Sequence, residues 1–167
     1  MMNARLLQQV QQVSALLLEQ RATVAVAESC TGGLLGHWLT SIPGSSGYFL
    51  GGLICYSTES KRELLGVSPE TLHRYGAVSG ETAQEMAARV RLLFGASYAL
   101  AITGIAGPAP GDAGEPVGLI YVGLASEELS LYEEYRFAGE RLENKEQAVV
   151  AALALLVRCV RDGRQGL

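Results

Sequence analysis

The sequence has few cysteines and no long hydrophobic run. Its cysteines are Cys30, Cys55 and Cys159; they form no C-x-x-C motif, and an odd number of thiols cannot all be paired. This pattern argues against a disulfide-stabilised fold and against a zinc knuckle. We therefore expect reduced thiols and a cytoplasmic protein. No apolar stretch reaches the roughly 20 residues of a membrane helix, and the first twenty residues mix leucine with glutamine instead of forming a signal peptide. We expect no membrane association.

An excess of basic charge is also missing. Lysine and arginine number 13 against 17 acidic residues, so the net charge is -4, and nucleic acid is not an expected partner. Hydrophobic residues make up 49% of the chain and glycines number 20, which favours a compact fold with many turns. The length predicts one domain over residues 1–167, with a core from about 5 to 160 and a polar tail over 161–167.

Hydrophobic periodicity predicts alternating helices and strands. We expect helices over 3–20, from the glycine pair to Leu39, over 59–65, from Pro69, over 80–94 and over 141–160, with strands over 23–27, 48–57, 98–103, 117–125 and 129–137. The short turn Ser126–Glu128 predicts that the last two strands are antiparallel. The fold class is therefore α/β, a three-layer α/β/α sandwich with a mixed, partly antiparallel sheet.

The turn after the first strand is the first candidate site. Ser29, Cys30 and Thr31 are adjacent nucleophile types, and backbone N–H groups at the following helix start can stabilise an oxyanion or a phosphate. A helix cap with Cys30 in the core explains the same residues. A Rossmann dinucleotide site is rejected, because Thr31 stands where the G-x-G-x-x-G fingerprint needs its first glycine.

A hydroxyl nucleophile needs a base, and Tyr56 and Lys61 are candidates. They lie in YSTESK, where a predicted strand ends and a helix begins. A lysine with a lowered pKa can accept the proton, and a tyrosine can relay it. Composition alone favours a solvated helix position for Lys61. His37 and His73 have no metal-ligating neighbours in the sequence, so we expect no metal.

Two further segments are candidates for ligand contact. The loop TGIAGPAPGDAGEPVG over 103–118 holds five glycines and three prolines directly after a buried strand, and long irregular loops are typically functional or disordered. Arg141 begins the last helix, where its guanidinium can bind a phosphate bidentately or remain on the surface.

Several motifs together resemble one family. The strings AESCTGG, GSSGYFLGGLICYSTESKRELLGV, YGAVSGETA and TGIAGP followed by PVG are similar to the competence/damage-inducible protein A C-terminal domain family, the nicotinamide-nucleotide amidohydrolases. The likeness runs from about residue 5 to residue 158. It implies a homodimeric, stand-alone enzyme without an upstream molybdopterin-binding-like domain, which converts nicotinamide mononucleotide to nicotinic acid mononucleotide and ammonia and uses no cofactor.

The resemblance also implies roles for individual residues. Ser29 would be the nucleophile, assisted by Tyr56 and Lys61, with the oxyanion held by N–H groups near Thr31 and Gly32. The implied substrate pocket comprises Cys30, Thr31, Gly32, Gly33, Ser45, Ser46, Thr103, Gly104, Ala106, Gly107 and Arg141. Three residues depart from the family pattern, namely Thr58, Glu115 and Lys145, where asparagine, lysine and arginine are usual.

Two alternatives stay open at the level of sequence. The first is a non-catalytic regulatory module whose glycine-rich turns bind a nucleotide or phosphate. The second is an amidase whose nucleophile is Cys30, because a helix N-terminus lowers a thiol pKa.

Overall fold

The computed structural model describes residues 2–163. The helices are α1 (Met2–Gln20), α2 (Leu34–Leu39), α3 (Thr58–Glu63), α4 (Pro69–Tyr75), α5 (Gly80–Phe94) and α6 (Arg141–Asp162), and a 3-10 turn spans Ser45–Gly47. The strands are β1 (Val24–Glu28), β2 (Phe49–Ile54), β3 (Tyr98–Gly104), β4 (Leu119–Ala125) and β5 (Ser130–Arg136). Every predicted helix and strand is present, and boundaries differ by a few residues. Of the predicted tail, Arg161 and Asp162 belong to α6, and residues 164–167 lie outside the described residues.

The five strands form one mixed sheet in the order β2-β1-β3-β4-β5. Strand β1 runs parallel to both β2 and β3, whereas β4 is antiparallel to β3 and to β5. Helices cover both faces of the sheet. The predicted fold class is confirmed, including the antiparallel β4–β5 hairpin.

The two faces of the sheet have different cores because strand residues alternate in direction. Val24 and Val26 of β1 point into a layer built with α1, α2 and α6. Ala25 and Ala27 point toward α5 on the other side. These small side chains let α5 lie close to the sheet, and a Cβ placed on Gly123 of β4 would be 2.2 Å from the Ala83 carbonyl oxygen.

Serine caps begin the three helices that follow β2. The Ser57, Ser68 and Ser79 side chains each accept a hydrogen bond from the backbone N–H three residues later, which satisfies a donor that the helix itself leaves free. Because Ser57 caps α3, it does not belong to β2, which ends at Ile54 and not at the predicted residue 57.

The sheet topology opens a crevice beside β1. The chain leaving β1 crosses to β2 on one side, and the chain leaving β3 enters the loop after Gly104 on the other. In α/β sheets, ligands bind where the connections diverge outside the carboxyl ends of parallel strands. Ser29 lies at this point, and its N–H donates to the Ile102 carbonyl of β3 at 2.9 Å. Within residues 2–163, no helix combines the length and apolar character needed to cross a membrane.

Candidate active site

Ser29 and Lys61 form the centre of the site. The Lys61 Nζ lies 2.9 Å from the Ser29 Oγ, although the two residues are 32 positions apart in the chain. The Lys61 side chain is only 1% exposed, and Ser29 is 7% exposed. The structure therefore brings together a hydroxyl nucleophile and an amine, both largely shielded from solvent.

Two backbone carbonyls orient the Lys61 amine. Lys61 Nζ donates to the Cys55 carbonyl at 2.9 Å and to the Tyr56 carbonyl at 3.2 Å, both in the short segment that joins β2 to α3. Burial lowers the pKa of Lys61, because the charged form loses its hydration. Nζ also donates to the Ser29 Oγ, so the charged amine has three acceptors. Loss of one proton leaves two N–H donors for the carbonyls and a lone pair that can accept the proton of the Ser29 hydroxyl.

The Glu28 side chain organises the turn that carries Ser29. Its buried carboxylate accepts hydrogen bonds from the Thr31 hydroxyl at 2.6 Å and from the N–H groups of Gly33, Leu35 and Gly36 at 3.1, 3.1 and 2.8 Å. These backbone donors belong to the start of α2. The glycine-rich turn is thus already filled by an anion of the chain itself, so its helix-start donors are not available to a phosphate.

One amide beside Ser29 faces the cleft that opens over it. Gly32 N–H donates to the Ser29 carbonyl at 3.0 Å, and Thr31 is 0% exposed and does not line the cleft, so the expected oxyanion roles of these two residues have no support in this geometry. Cys30 lines the cleft, and its N–H donates to no backbone carbonyl among residues 2–163. This group follows the nucleophile directly and is the donor that can meet an oxyanion.

A cleft of about 320 Å³ opens over Ser29 and Lys61. Of the residues expected to bind substrate, it is lined by Cys30, Thr103, Gly104, Ala106, Gly107 and Arg141. Ala77, Val78 and Asp112 also line it. The Thr103 hydroxyl donates to the Ala77 carbonyl at 2.7 Å, which joins the end of β3 to the segment before α5.

The other expected pocket residues lie elsewhere. Ser45 and Ser46 precede β2, next to the amino end of β1, because Phe49 pairs with Val24 in the parallel register. Ser29 follows the opposite end of β1. The assignment of Ser45 and Ser46 to the substrate pocket is therefore wrong for the cleft of a single chain. Thr31, Gly32 and Gly33 shape the turn behind the cleft and do not line it.

Tyr56 contacts the site mainly through its backbone. Its carbonyl accepts from Lys61 and, at 3.4 Å, from the Ser29 hydroxyl. Its own hydroxyl accepts from Arg141 Nη2 at 3.2 Å, and Arg141 Nη1 donates to the Gly107 carbonyl. In the described part of the chain, no hydrogen bond joins the Tyr56 hydroxyl to Ser29 or Lys61. A proton relay through that hydroxyl has no support in this geometry.

Cys30 lines the cleft but is poorly suited to act as a nucleophile. Burial raises the pKa of its thiol to about 12, and the nearby Lys61 charge opposes this only in part. A thiol, unlike a thiolate, is a weak nucleophile. The alternative in which Cys30 attacks the substrate is therefore disfavoured.

Sequence reasoning missed two side chains that hold the site together. One is Glu28, a charged residue at the end of a fully buried strand. The other is Asn144, which is 0% exposed on α6 and donates to the Ala106 carbonyl at 3.1 Å and the Gly139 carbonyl at 2.8 Å. For Glu28 the available signal was a charged residue directly after the apolar run TVAVA, whereas Asn144 lies in the polar stretch ENKEQ, which gave no such signal.

The three departures from the family pattern have different positions. Thr58 is the first residue of α3. Glu115 lies in the loop after β3, where its carboxylate accepts from the Ala113 N–H at 3.1 Å. Lys145 projects from α6 toward the nucleophile turn, with its Nζ 3.8 Å from the position of a Cβ built on Gly32.

A model of the CinA C-terminal domain matches residues 7–160, most of the chain. The chain belongs to the CinA C-terminal domain family. This confirms the resemblance to competence/damage-inducible protein A that the sequence motifs indicated.

Other members of the CinA family agree with this assignment. A CinA-like protein of Solibacter usitatus is 49% identical over 92% of the chain, and one of Desulforapulum autotrophicum is 46% identical over 87%. The chain spans only 37% and 35% of these two relatives' lengths.

Solved CinA-family structures share the fold. A CinA superfamily protein from Klebsiella pneumoniae has a TM-score of 0.91 and 32% identity, covering 94% of this chain and 98% of that one. A competence/damage inducible protein from Agrobacterium tumefaciens has a TM-score of 0.88 and 36% identity, covering 92% and 94%.

Proposed function

We propose that the chain is a serine amidohydrolase that hydrolyses the carboxamide of nicotinamide mononucleotide. The observation that carries the proposal is the 2.9 Å contact between Ser29 Oγ and the buried Lys61 Nζ at the floor of the cleft. The choice of a pyridine nucleotide as substrate comes from the family likeness of the motifs that surround this contact.

The reaction begins with acylation of Ser29. Its Oγ attacks the carboxamide carbon while neutral Lys61 accepts the hydroxyl proton. The carbonyl π electrons move to oxygen, and the N–H group of Cys30 stabilises this oxyanion. When the tetrahedral intermediate collapses, the C–N bond breaks, and Lys61 returns its proton to the departing nitrogen as ammonia forms.

Hydrolysis of the ester completes the cycle. Water attacks the nicotinoyl carbon of the Ser29 ester and gives its proton to Lys61, and the same amide stabilises the second oxyanion. Collapse breaks the bond to Ser29 Oγ, which takes the proton back from Lys61. Nicotinic acid mononucleotide leaves, and the enzyme regains its starting protonation state.

Arg141 supports recognition of an anionic substrate. It lines the cleft and is exposed. Two of its donors hold Gly107 and Tyr56, and a guanidinium has five N–H groups in all. The remaining donors can bind a phosphate oxygen, while the contacts already made fix the orientation of the guanidinium.

The test is ammonia release from nicotinamide mononucleotide by the purified chain. Ser29→Ala and Lys61→Ala are each expected to lower kcat by about a thousandfold or more, as removal of a nucleophile or its base does elsewhere. Ser126→Ala is the matched control, since it removes a hydroxyl from the β4–β5 turn far from the cleft. Near-normal turnover by Ser29→Ala would exclude the mechanism, as would substrate binding without ammonia release by the wild type.

A further inference from the structure

Glu28 is a buried anion that the proposed reaction does not use. It is 1% exposed at the end of β1, where an isolated carboxylate is costly unless hydrogen bonds satisfy it. Among the described residues it has no salt-bridge partner. Its four hydrogen-bond donors are all neutral, and all belong to the next eight residues of the chain.

We infer that Glu28 is the positioning residue of the nucleophile, an inference that rests on the proposed role of Ser29. Its two carboxylate oxygens accept hydrogen bonds from different donors. Oε2 accepts from the Thr31 hydroxyl, Gly33 N–H and Leu35 N–H, and Oε1 accepts from Gly36 N–H. The carboxylate therefore fixes the turn and the first turn of α2 to the end of β1.

Ser29 is fixed from both sides as a result. On its amino side, Glu28 pairs with Ile54 of β2 and Ile102 of β3. On its carboxyl side, the hydrogen bonds of Glu28 to Thr31 and Gly33 close the turn around Ser29. The Ser29 backbone has little freedom, so its Oγ stays at the Lys61 amine without any contact between Glu28 and substrate.

The same hydrogen bonds select the oxyanion donor. Glu28 occupies the N–H groups of Gly33, Leu35 and Gly36, and the Ser29 carbonyl occupies that of Gly32. The N–H group of Cys30, which lines the cleft, is left next to the nucleophile. Glu28 thus acts on the transition state through the turn, and it does not line the cleft, so substrate affinity should not depend on it.

Glu28→Gln tests the inference with little change in side-chain volume. An amide has one acceptor oxygen, and its NH₂ group must face either Gly36 N–H or the three donors at Oε2. We expect kcat for ammonia release to fall about 10- to 100-fold, the scale of small displacements of reacting groups, with KM unchanged. Glu85→Gln is the matched control, because Glu85 accepts from the Ser68 N–H at 2.8 Å before α4 but does not line the cleft.

A second readout avoids the nucleotide substrate. An alkyl fluorophosphonate phosphonylates an activated serine: Oγ bonds to phosphorus, fluoride leaves, and Lys61 takes the proton. The rate of labelling at Ser29, followed by mass spectrometry, should fall in Glu28→Gln by the same factor as kcat and stay at the wild-type rate in Glu85→Gln. Equal labelling rates in the wild type and Glu28→Gln overturn the inference.

Labelling also separates this inference from the proposed function. A wild type that labels at Ser29 but releases no ammonia contradicts the substrate assignment, and slower labelling of Glu28→Gln would still support Glu28. A wild type that does not label contradicts both. If Glu28→Gln fails to fold, two variants of Thr31 test the same hydrogen bond to Glu28. Thr31→Val removes the hydroxyl and should be labelled more slowly, whereas Thr31→Ser keeps it and should be labelled at a near-normal rate. Equal labelling rates in the two variants overturn the inference.

Discussion

The amine of Lys61 carries the chemistry of the site at the scale of single residues. It is buried against two carbonyls and a hydroxyl, and in the described chain no carboxylate pairs with it. Burial of a cation without a counter-ion favours the neutral form. Burial without a counter-ion therefore makes Lys61 a better base and also lowers the stability of the folded chain. These two consequences can be measured separately.

The first prediction concerns the pH dependence of catalysis. Because burial lowers the pKa of Lys61, kcat/KM should rise with pH as the free enzyme loses this proton, with the midpoint below the ordinary lysine value. A pH–rate profile with nicotinamide mononucleotide measures it. Lys61→Arg, which stays protonated, should lose activity at every pH. A midpoint at the ordinary lysine value would contradict this role.

The second prediction concerns stability. The folded pKa of Lys61 is lowered, so between that pKa and the ordinary lysine value the unfolded chain binds more protons, and wild-type stability rises with pH. Lys61→Met lacks this contribution. Its melting temperature relative to wild type should therefore be highest at low pH and should decline as pH rises. Ser29→Ala, which keeps Lys61, should retain the wild-type slope, and parallel curves for Lys61→Met and wild type would contradict the argument.

The third prediction concerns Cys30. Burial raises the pKa of its thiol to about 12, so at pH 8 nearly all of it is protonated. Iodoacetamide should alkylate Cys30 far more slowly than free cysteine, as followed by peptide mass spectrometry. Cys30→Ala should keep ammonia release of the wild-type order, since the proposed donor is the backbone N–H and not the thiol. Loss of turnover in Cys30→Ala with retention in Ser29→Ala would reverse this conclusion.

At the scale of elements, the close approach of α5 to the sheet gives a fourth prediction. A Cβ on Gly123 would lie 2.2 Å from the Ala83 carbonyl oxygen, so Gly123→Ala must displace α5 or β4. Overpacking of this kind costs about 1–3 kcal/mol of unfolding free energy. Denaturant unfolding measures it, with Gly163→Ala as control, because its nearest neighbour would be 3.5 Å away. Equal stabilities would show that α5 adjusts freely.

The elements also show what sequence reasoning can reach. Periodicity, together with cap, proline and turn residues, located the six helices and five strands of the described chain, because burial on one face leaves a pattern within a segment. It also placed Ser29 after β1 and Lys61 in α3. Sequence reasoning could not assign Ser45 and Ser46 correctly, because the β1–β2 register decides at which end of the strands they lie. It also could not show that Glu28 occupies the turn, which depends on distances between atoms.

At the scale of the whole molecule, one chain supplies every group that the proposed reaction needs. The nucleophile follows β1, the base lies on α3, the cleft wall follows β3, and Arg141 begins α6. These four segments meet because β1 lies between β2 and β3, which brings their connections to one edge of the sheet. The family's longer members contain further sequence, but no step of the mechanism draws on it.

The fifth prediction follows from this self-sufficiency. If the site is complete within one chain, ammonia release per chain should stay constant when the protein is diluted through the range in which any dimer dissociates, because mass action then removes only the partner. Specific activity and oligomeric state, the latter by analytical ultracentrifugation, are measured over the same concentrations. A fall in activity that follows dimer dissociation would show that a second chain completes the cleft or stabilises its walls, and the homodimer expected from the family resemblance would then be part of the catalytic unit.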